Sequence, residues 1–332
     1  MEGRERLEDI PLLRGERLFT ADLPHDDALH VAFVRSDMAH GQIKTLGIDE
    51  ARSADGVVTV ETGQSLGLGP LRLFADLPEE MTGTPLATDV TRWVGEPLAV
   101  VVADTIAAAT DAADLVEVEL APLAPIVDLT TSATAAPLYP GTTSNVVYEL
   151  ADDGADPIGP EAEHVFEATI ANPRLASAPL ECDGIIAAPR PDLAEDGLDV
   201  WCTSQGAHNI RGQLAACLEI DQNYLRVRSP AVGGGFGGRA SATPEFVVVC
   251  RLAQQLGRPI RWVQSRYENL TGMAQGRGYS TTIRMGTDAD GIITGIDADI
   301  VADAGSSAHI SALLMVSARR QVPGMYLSLI HI

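Results

Sequence analysis

Apolar and polar positions alternate along residues 29 to 35, LHVAFVR, with the period of two expected of a half-buried strand. The next stretch, IKTLGIDEARSADGVVTVETG, reads as a strand, a short helix and another strand. After a loop rich in Pro, Leu and Gly at 67 to 88, WVGEPLAVVVAD has the continuous apolar run of a buried strand. TIAAATDAADLV follows with helix-forming alanines behind Thr105, which fits an N-cap. VEVELAPLAPIVD adds a further strand that ends near Asp128. Residues 130–145, TTSATAAPLYPGTTSN, have no period, so a linker is expected there between one domain at 1–129 and another at 146–326.

Beyond an acidic stretch with Gly and Pro at 151 to 163, HVFEATIANPRLASAPLECDGIIAAPR carries strand signals with polar interruptions, and LDVWCTSQ predicts a strand. In NIRGQLAACLEI the apolar residues Ile210, Leu214, Cys217 and Leu218 share one helical face, and YLRVRSPAV returns as a strand. Thr243, Pro244 and Glu245 supply an N-cap, a first-turn proline and a carboxylate matched to the helix dipole, and Gly257 ends the helix EFVVVCRLAQQLG. PIRWVQS is another strand, and residues 279 to 303 alternate around D-A-D-G as a β-hairpin does. The mixture predicts an α+β protein without an internal repeat.

Composition narrows the function. The chain has 332 residues, enough for more than one core, with 23 Lys and Arg against 46 Asp and Glu, a net charge of −23. Such a surface repels phosphate backbones and anionic lipid, so neither nucleic acid nor a membrane is an expected partner. There is no apolar run of about 20 residues to span a bilayer and no leader pattern at the start, so a cytoplasmic protein is expected. Cys182, Cys202, Cys217 and Cys250 form no C-x-x-C pair and, like the seven histidines, are scattered. Direct protein ligation of a metal is therefore not expected.

The segment Val232-Gly233-Gly234-Gly235-Phe236-Gly237-Gly238-Arg239 carries the most chemistry. Its glycines admit backbone conformations closed to other residues, and such a loop can turn N–H groups toward an anion or an oxo ligand. The same glycines also suit a tight turn made for steric reasons alone. Gly233, Gly235 and Gly238 match G-x-G-x-x-G after a strand, the pattern of a dinucleotide-binding fold, but Arg239 to Ala242 intervene before the Thr243 cap. No G-K-[ST] follows, which excludes a Walker loop.

Taken in order, several segments resemble the large, molybdenum-cofactor-binding subunit of the xanthine dehydrogenase, aldehyde oxidase and carbon monoxide dehydrogenase family. Leu13-Arg14-Gly15 with Phe19 to Asp22, VRSDMAHGQIKTLGID, WVGEPLAVVVADT and VELAPLAPIVD are similar to its N-terminal α/β hammerhead domain. LASAPLECDGIIAA, VWCTSQGAH, VGGGFGGR and LGRPIRWVQSRYEN are similar to the first part of its molybdopterin-binding α+β domain. The resemblance makes Gln205, Gly235, Phe236, Gly237, Gly238 and Arg239 the cofactor-binding residues, with Gln205 and Phe236 near molybdenum and the metal held by the pterin dithiolene. Arg239 stands where the family often has lysine. Ala240 stands where purine-oxidising members carry glutamate, which argues against xanthine as substrate. Glu181, in Pro179-Leu180-Glu181, matches a family glutamate and is read as a structural carboxylate; Arg266 and Glu268 are read as a structural ion-pair site, and His40, His208 and His309 as surface or helix-end residues.

The family resemblance implies a hydroxylase acting on an aldehyde or N-heterocycle. In that chemistry a metal-bound hydroxide, deprotonated by a glutamate, attacks carbon while hydride passes to a sulfido ligand. It implies molybdenum-molybdopterin in the cytosine dinucleotide form, with [2Fe-2S] and FAD on partner subunits in a dimer of heterotrimers. The catalytic base glutamate belongs to a later region of the family, beyond Ile332, so no catalytic residue is expected in this chain. Leu327 to Ile332 depart from the family and read as an artificial tail, so a truncated chain, inactive by itself, is expected. Two other readings stand beside this one: a non-catalytic binding or assembly protein of the same fold, and a nicotinamide-dependent dehydrogenase using Gly233 to Gly238.

Overall fold

The computed structural model describes residues 6–73, 77–151, 156–307, 310–322 and 324. His309 and the tail 327–332 lie outside them. The architecture is α+β, and its contacts divide into two units interleaved along the chain. One gathers Met1–Leu73, Gly83–Ala124 and Ser177–Met273; the other gathers Phe74–Thr82, Pro125–Ala176 and Ala274–Ile332.

A seven-stranded mixed sheet organises the first unit, in the spatial order Leu225–Arg228, Leu198–Cys202, Gly184–Pro189, Ile260–Val263, Leu29–Arg35, Pro97–Ala103 and Val57–Thr62. Both Pro97–Ala103 and Leu29–Arg35 lie between two neighbours; the apolar run Pro97–Ala103 is buried at every position, whereas Leu29–Arg35 alternates from Leu29 to Phe33 and then buries Val34 as well. Val34, Val60, Ala99 and Val101 pack with Ala112 and Val116 in one core cluster. On another part of the sheet the Trp262 ring meets Phe33 and Phe246 edge-on, at centroid distances of 5.5 and 6.4 Å. Thr105 and Thr243 cap the helices Ile106–Ala113 and Pro244–Leu256 by accepting from Ala108 and Phe246 N–H, and Gly257 closes the second helix in the left-handed region. A small sheet of Val90–Thr91, Gly41–Gly47 and Glu117–Pro122 completes this unit.

Strand direction brings distant segments to one end of the large sheet. Leu225–Arg228, Leu198–Cys202, Ile260–Val263 and Leu29–Arg35 run the same way, and Gly184–Pro189 runs against them. The C-terminal ends of four strands therefore lie with the start of the fifth, and the segments at 181–183, 203–206, 229–239 and 264–272 converge there. The strand LDVWC stops at Cys202, so Gln205 lies in the connection to the helix Ala207–Leu218, not at the strand end.

The second unit holds an antiparallel sheet of His164–Leu175, Gly276–Thr287 and Ile293–Ala302, the last two forming the expected hairpin. Pro173 lies on the edge strand, at the position its pairing with Gly276–Thr287 skips between Asn172 and Arg174, as suits a residue without an N–H to donate. Residues 130–145, expected as a linker without period, carry local order. Leu129–Ser132 makes a helical turn capped by Asp128, and the Asn145 side chain accepts from Leu138 N–H and donates to the Ser132 and Ala136 carbonyls.

Candidate functional site

Gln205 and the glycine loop meet directly. The Gln205 Oε1 accepts from the N–H groups of Gly237 and Arg239, both at 3.1 Å, while its own N–H donates to the Arg239 carbonyl at 3.0 Å. Because only the amide oxygen can accept, these bonds fix the orientation of the amide, and among the described residues Nε2 has no acceptor. Gly238 N–H donates to the Gly235 carbonyl at 2.9 Å, closing the turn. Gly235 is required by proximity, since a Cβ there would come within 2.6 Å of Gln205 Cγ and Cδ. Phe236 has φ of +51° and is 77% exposed, and its ring lies back over Gly234, where a Cβ would meet Cε2 at 2.8 Å. The N–H groups of Gly234, Gly235 and Phe236 donate to no acceptor among the described residues.

Beneath the loop lies a buried charge cluster. Arg239 is 3% exposed. Its NH1 donates to Glu181 Oε2 at 2.9 Å and to the Gly234 carbonyl at 2.8 Å, its Nε to Asp183 Oδ1 at 2.9 Å, and its NH2 to the Glu181 carbonyl. Glu181 Oε2 also accepts from Gly233 N–H at 2.7 Å, so one carboxylate binds both the loop and its arginine. Burial pushes the Asp183 carboxyl up to about 6; Arg239 opposes the shift and the charge of Glu245 adds to it. Asp183 Oδ1 also accepts from the Thr203 hydroxyl at 3.2 Å. Thr203 in turn binds Gly184 N–H through its oxygen, which ties the Gln205 connection to the next strand.

A second cluster adjoins it. Arg35 donates to Glu245 at 2.8 Å and to Glu268 at 2.9 Å. Burial works against the Arg35 charge, and the two carboxylates outweigh it, leaving its pKa above the ordinary value. This corrects the reading of Arg266 and Glu268 as partners. Two residues apart on a helix they face different ways, so Glu268 takes Arg35 while Arg266 donates to the Pro179 and Leu180 carbonyls and to Asn269.

The structure thus brings Gln205, Gly235, Phe236, Gly237, Gly238 and Arg239 into one constellation, with Arg239 turned inward and the other five on the loop or against it. Glu181 sits below them as a structural carboxylate. Asp183 and Arg35 were missed. Asp183 adjoins the singled-out Glu181 and Cys182, but its partner is 56 residues away, and nothing local announces the pairing.

Residues 14–124 match the aldehyde oxidase and xanthine dehydrogenase a/b hammerhead domain, and residues 138–328 match the molybdopterin cofactor-binding domain. The chain is 34% identical over 309 residues to the nicotine 6-hydroxylase large subunit of Paenarthrobacter nicotinovorans, covering 91% of this chain and 38% of that protein. It is 28% identical to the carbon monoxide dehydrogenase large chain of Hydrogenophaga pseudoflava, covering 90% of this chain and 39% of that one. Among solved structures, quinoline 2-oxidoreductase from Pseudomonas putida 86 superposes with a TM-score of 0.79 at 30% identity, over 90% of this chain and 38% of that chain. The chain therefore spans about two fifths of the length of these relatives. Order of segments, fold and loop agree: the chain belongs to the xanthine dehydrogenase and aldehyde oxidase family of molybdopterin-binding oxidoreductases.

Proposed function

We propose that this chain forms the hammerhead domain and the first part of the cofactor cleft in the catalytic subunit of a molybdenum hydroxylase acting on an aldehyde or N-heterocycle. The observation that carries the reading is the free donor set. Gln205 Nε2 and the N–H groups of Gly234, Gly235 and Phe236 have no acceptor among the described residues, although the loop that bears them is tied down on both sides.

These residues fit a group that presents oxygen acceptors. Consecutive free N–H groups in a loop with positive φ at Gly234 and Phe236 make an anion-binding concavity. Next to the loop, Ser177 Oγ is buried without a partner and its hydroxyl can donate, and beside Gly237 there is open space where a Cβ would stand. When bound, the molybdopterin group supplies Lewis acidity and a two-electron acceptor. The protein's part is to hold donors in place before the group arrives. Gln205 orients its amide because its oxygen is fixed by Gly237 and Arg239, and Arg239 keeps the loop in register by bonding Gly234 from below. In this reading Arg239 positions the loop, and Gln205, Gly235, Phe236, Gly237 and Gly238 face the cofactor. Preorganised donors of this sort stabilise developing negative charge without reorganisation.

The same reading carries the finer expectations: the cytosine dinucleotide form of the cofactor, iron–sulfur and FAD subunits in a dimer of heterotrimers, a cytoplasmic setting, and functional domains at 1–129 and 146–326. No helix among the described residues is long and apolar enough to cross a membrane. The test is molybdenum and pterin content of the complex purified through this chain, with turnover of an aldehyde and an N-heterocycle. Near-stoichiometric molybdenum, and hydroxylation lost in Gln205→Ala, supports the proposal. A stable complex with neither metal nor pterin favours the binding or assembly reading, and nucleotide binding without molybdenum favours the dehydrogenase reading.

A further inference from the structure

The sheet edge formed by Leu225–Arg228 carries an arrangement of charge found at none of the other ion pairs described above. Elsewhere acids match or outnumber bases: Arg35 has Glu245 and Glu268, and Arg239 has Glu181 and Asp183. At Asp199 the ratio is inverted. Its carboxylate, with a side chain only 12% exposed, takes both Nε and NH2 of Arg226, lies 3.0 Å from Arg190 NH1 and 3.6 Å from Arg228 NH1. Strand register explains the gathering. Arg226 pairs with Asp199 and Arg228 with Trp201, so both arginines stand on the face that presents Asp199 and Trp201, and Arg190 follows the strand that borders Asp199 on its other side.

Three guanidinium groups within reach of one carboxylate repel one another, and Asp199 can neutralise only one of them. Asp192, whose side chain is 68% exposed, also accepts from Nε and NH2 of Arg190 at 3.0 to 3.2 Å, so Arg190 is engaged by two carboxylates and the uncompensated charge falls on Arg226 and Arg228. The Arg228 side chain makes no hydrogen bond among the described residues; its guanidinium lies over the Trp201 ring at 5.2 Å, and its side chain is 39% exposed. Arg226 is 43% exposed and uses only Nε and NH2. Donors and positive charge thus remain at the surface of a chain whose net charge is −23.

We propose that Arg226 and Arg228, with Arg190 behind them, form a binding site for a phosphate-type oxyanion, separate from the glycine loop. Arg190, Arg226 and Arg228 against Asp199 and Asp192 leave an excess of one positive charge, carried at the exposed end by Arg228, which favours an oxyanion there. A tetrahedral oxyanion can also accept from several guanidinium forks at once, whereas the planar position is already filled by Asp199. Trp201, held between Arg228 and the His25 ring at 4.7 Å, is a built-in reporter.

The test titrates the intact chain with inorganic phosphate at constant ionic strength, reading tryptophan fluorescence and, independently, phosphorus NMR line width. Sodium chloride and sodium acetate are run as matched controls. Saturation below about 10 mM, with the fluorescence change lost in Trp201→Phe, is expected, and Arg228→Gln should weaken binding at least tenfold. That substitution leaves the bonds of Asp199 to Arg226 and Arg190 in place, so the protein stays folded, as unchanged circular dichroism should report. A phosphate monoester binding as well as phosphate also supports the site and extends it to phosphorylated ligands. The proposal is overturned by a response that chloride or acetate reproduces, by the lack of saturation, or by unaltered binding in Arg228→Gln.

Discussion

Replacing Arg239 with methionine tests whether the buried cation holds the loop. The substitution keeps an unbranched stem of similar length and removes a guanidinium that bonds Glu181, Asp183 and two backbone carbonyls at 3% exposure. Breaking a buried pair by deleting one partner costs about 3–5 kcal/mol, because the remaining charge is left uncompensated. The cost should depend on pH in a direction set by Asp183. Burial raises its carboxyl from 3.8 to about 6, so the native state keeps a proton that the unfolded chain has released across that window. Stability therefore falls as pH rises from about 4 to about 6, by about 3 kcal/mol in all at about 1.36 kcal/mol per pH unit, and then levels off. Without Arg239 the carboxyl shifts higher still, and the fall continues toward neutrality. Over the window from about 6 to about 7.5 that adds up to about 2 kcal/mol. Arg239→Met should thus cost about 4 kcal/mol near pH 7.5 and about 2 kcal/mol less near pH 5, where Asp183 is mostly protonated in both proteins. Urea unfolding followed by fluorescence of the buried Trp262 measures both values. A loss under about 1 kcal/mol at the higher pH, or equal losses at the two, refutes the reasoning.

Three further outcomes are expected. Glu96, 2% exposed and pushed up to about 8 by burial, loses stability from about pH 4.5 to about pH 8 by about 5 kcal/mol; Glu96→Gln removes that slope and should unfold at higher urea at pH 8 but not at pH 4.5. Gly235→Ala places a methyl 2.6 Å from Gln205 Cγ and Cδ, so the amide must leave the Gly237 and Arg239 N–H groups; hydrogen exchange at those two amides should accelerate while global stability drops by only about 1–3 kcal/mol. Equal exchange rates in both proteins contradict that geometry. Thr243→Ala removes the acceptor for Phe246 N–H and should cost about 1 kcal/mol in a denaturant titration, with no change in the exchange of the Gly237 amide.

Local chemistry was legible along the chain wherever neighbours in sequence decide the outcome. The alternation of Leu29–Arg35, the apolar run of Pro97–Ala103, the Thr105 and Thr243 caps, the Gly257 stop and the hairpin of Gly276–Thr287 with Ile293–Ala302 all rest on interactions within a few residues or across one tight turn. The motif order also located Gln205 and the glycine loop, whose contact the structure displays at 3.1 Å. What tertiary structure alone decided is which distant charges meet. Leu29 pairs with Ile260 in a parallel ladder, and that register carries Arg35 to Glu245 and Glu268, more than 200 residues onward. The same sheet order sets Asp183 against Arg239 and gathers three arginines on Asp199. A charged residue carries no periodic signature of its partner. Its pairing, and the burial that moves the Asp183 carboxyl to about 6, exist only once strand order and direction have put the two segments at one end of the sheet.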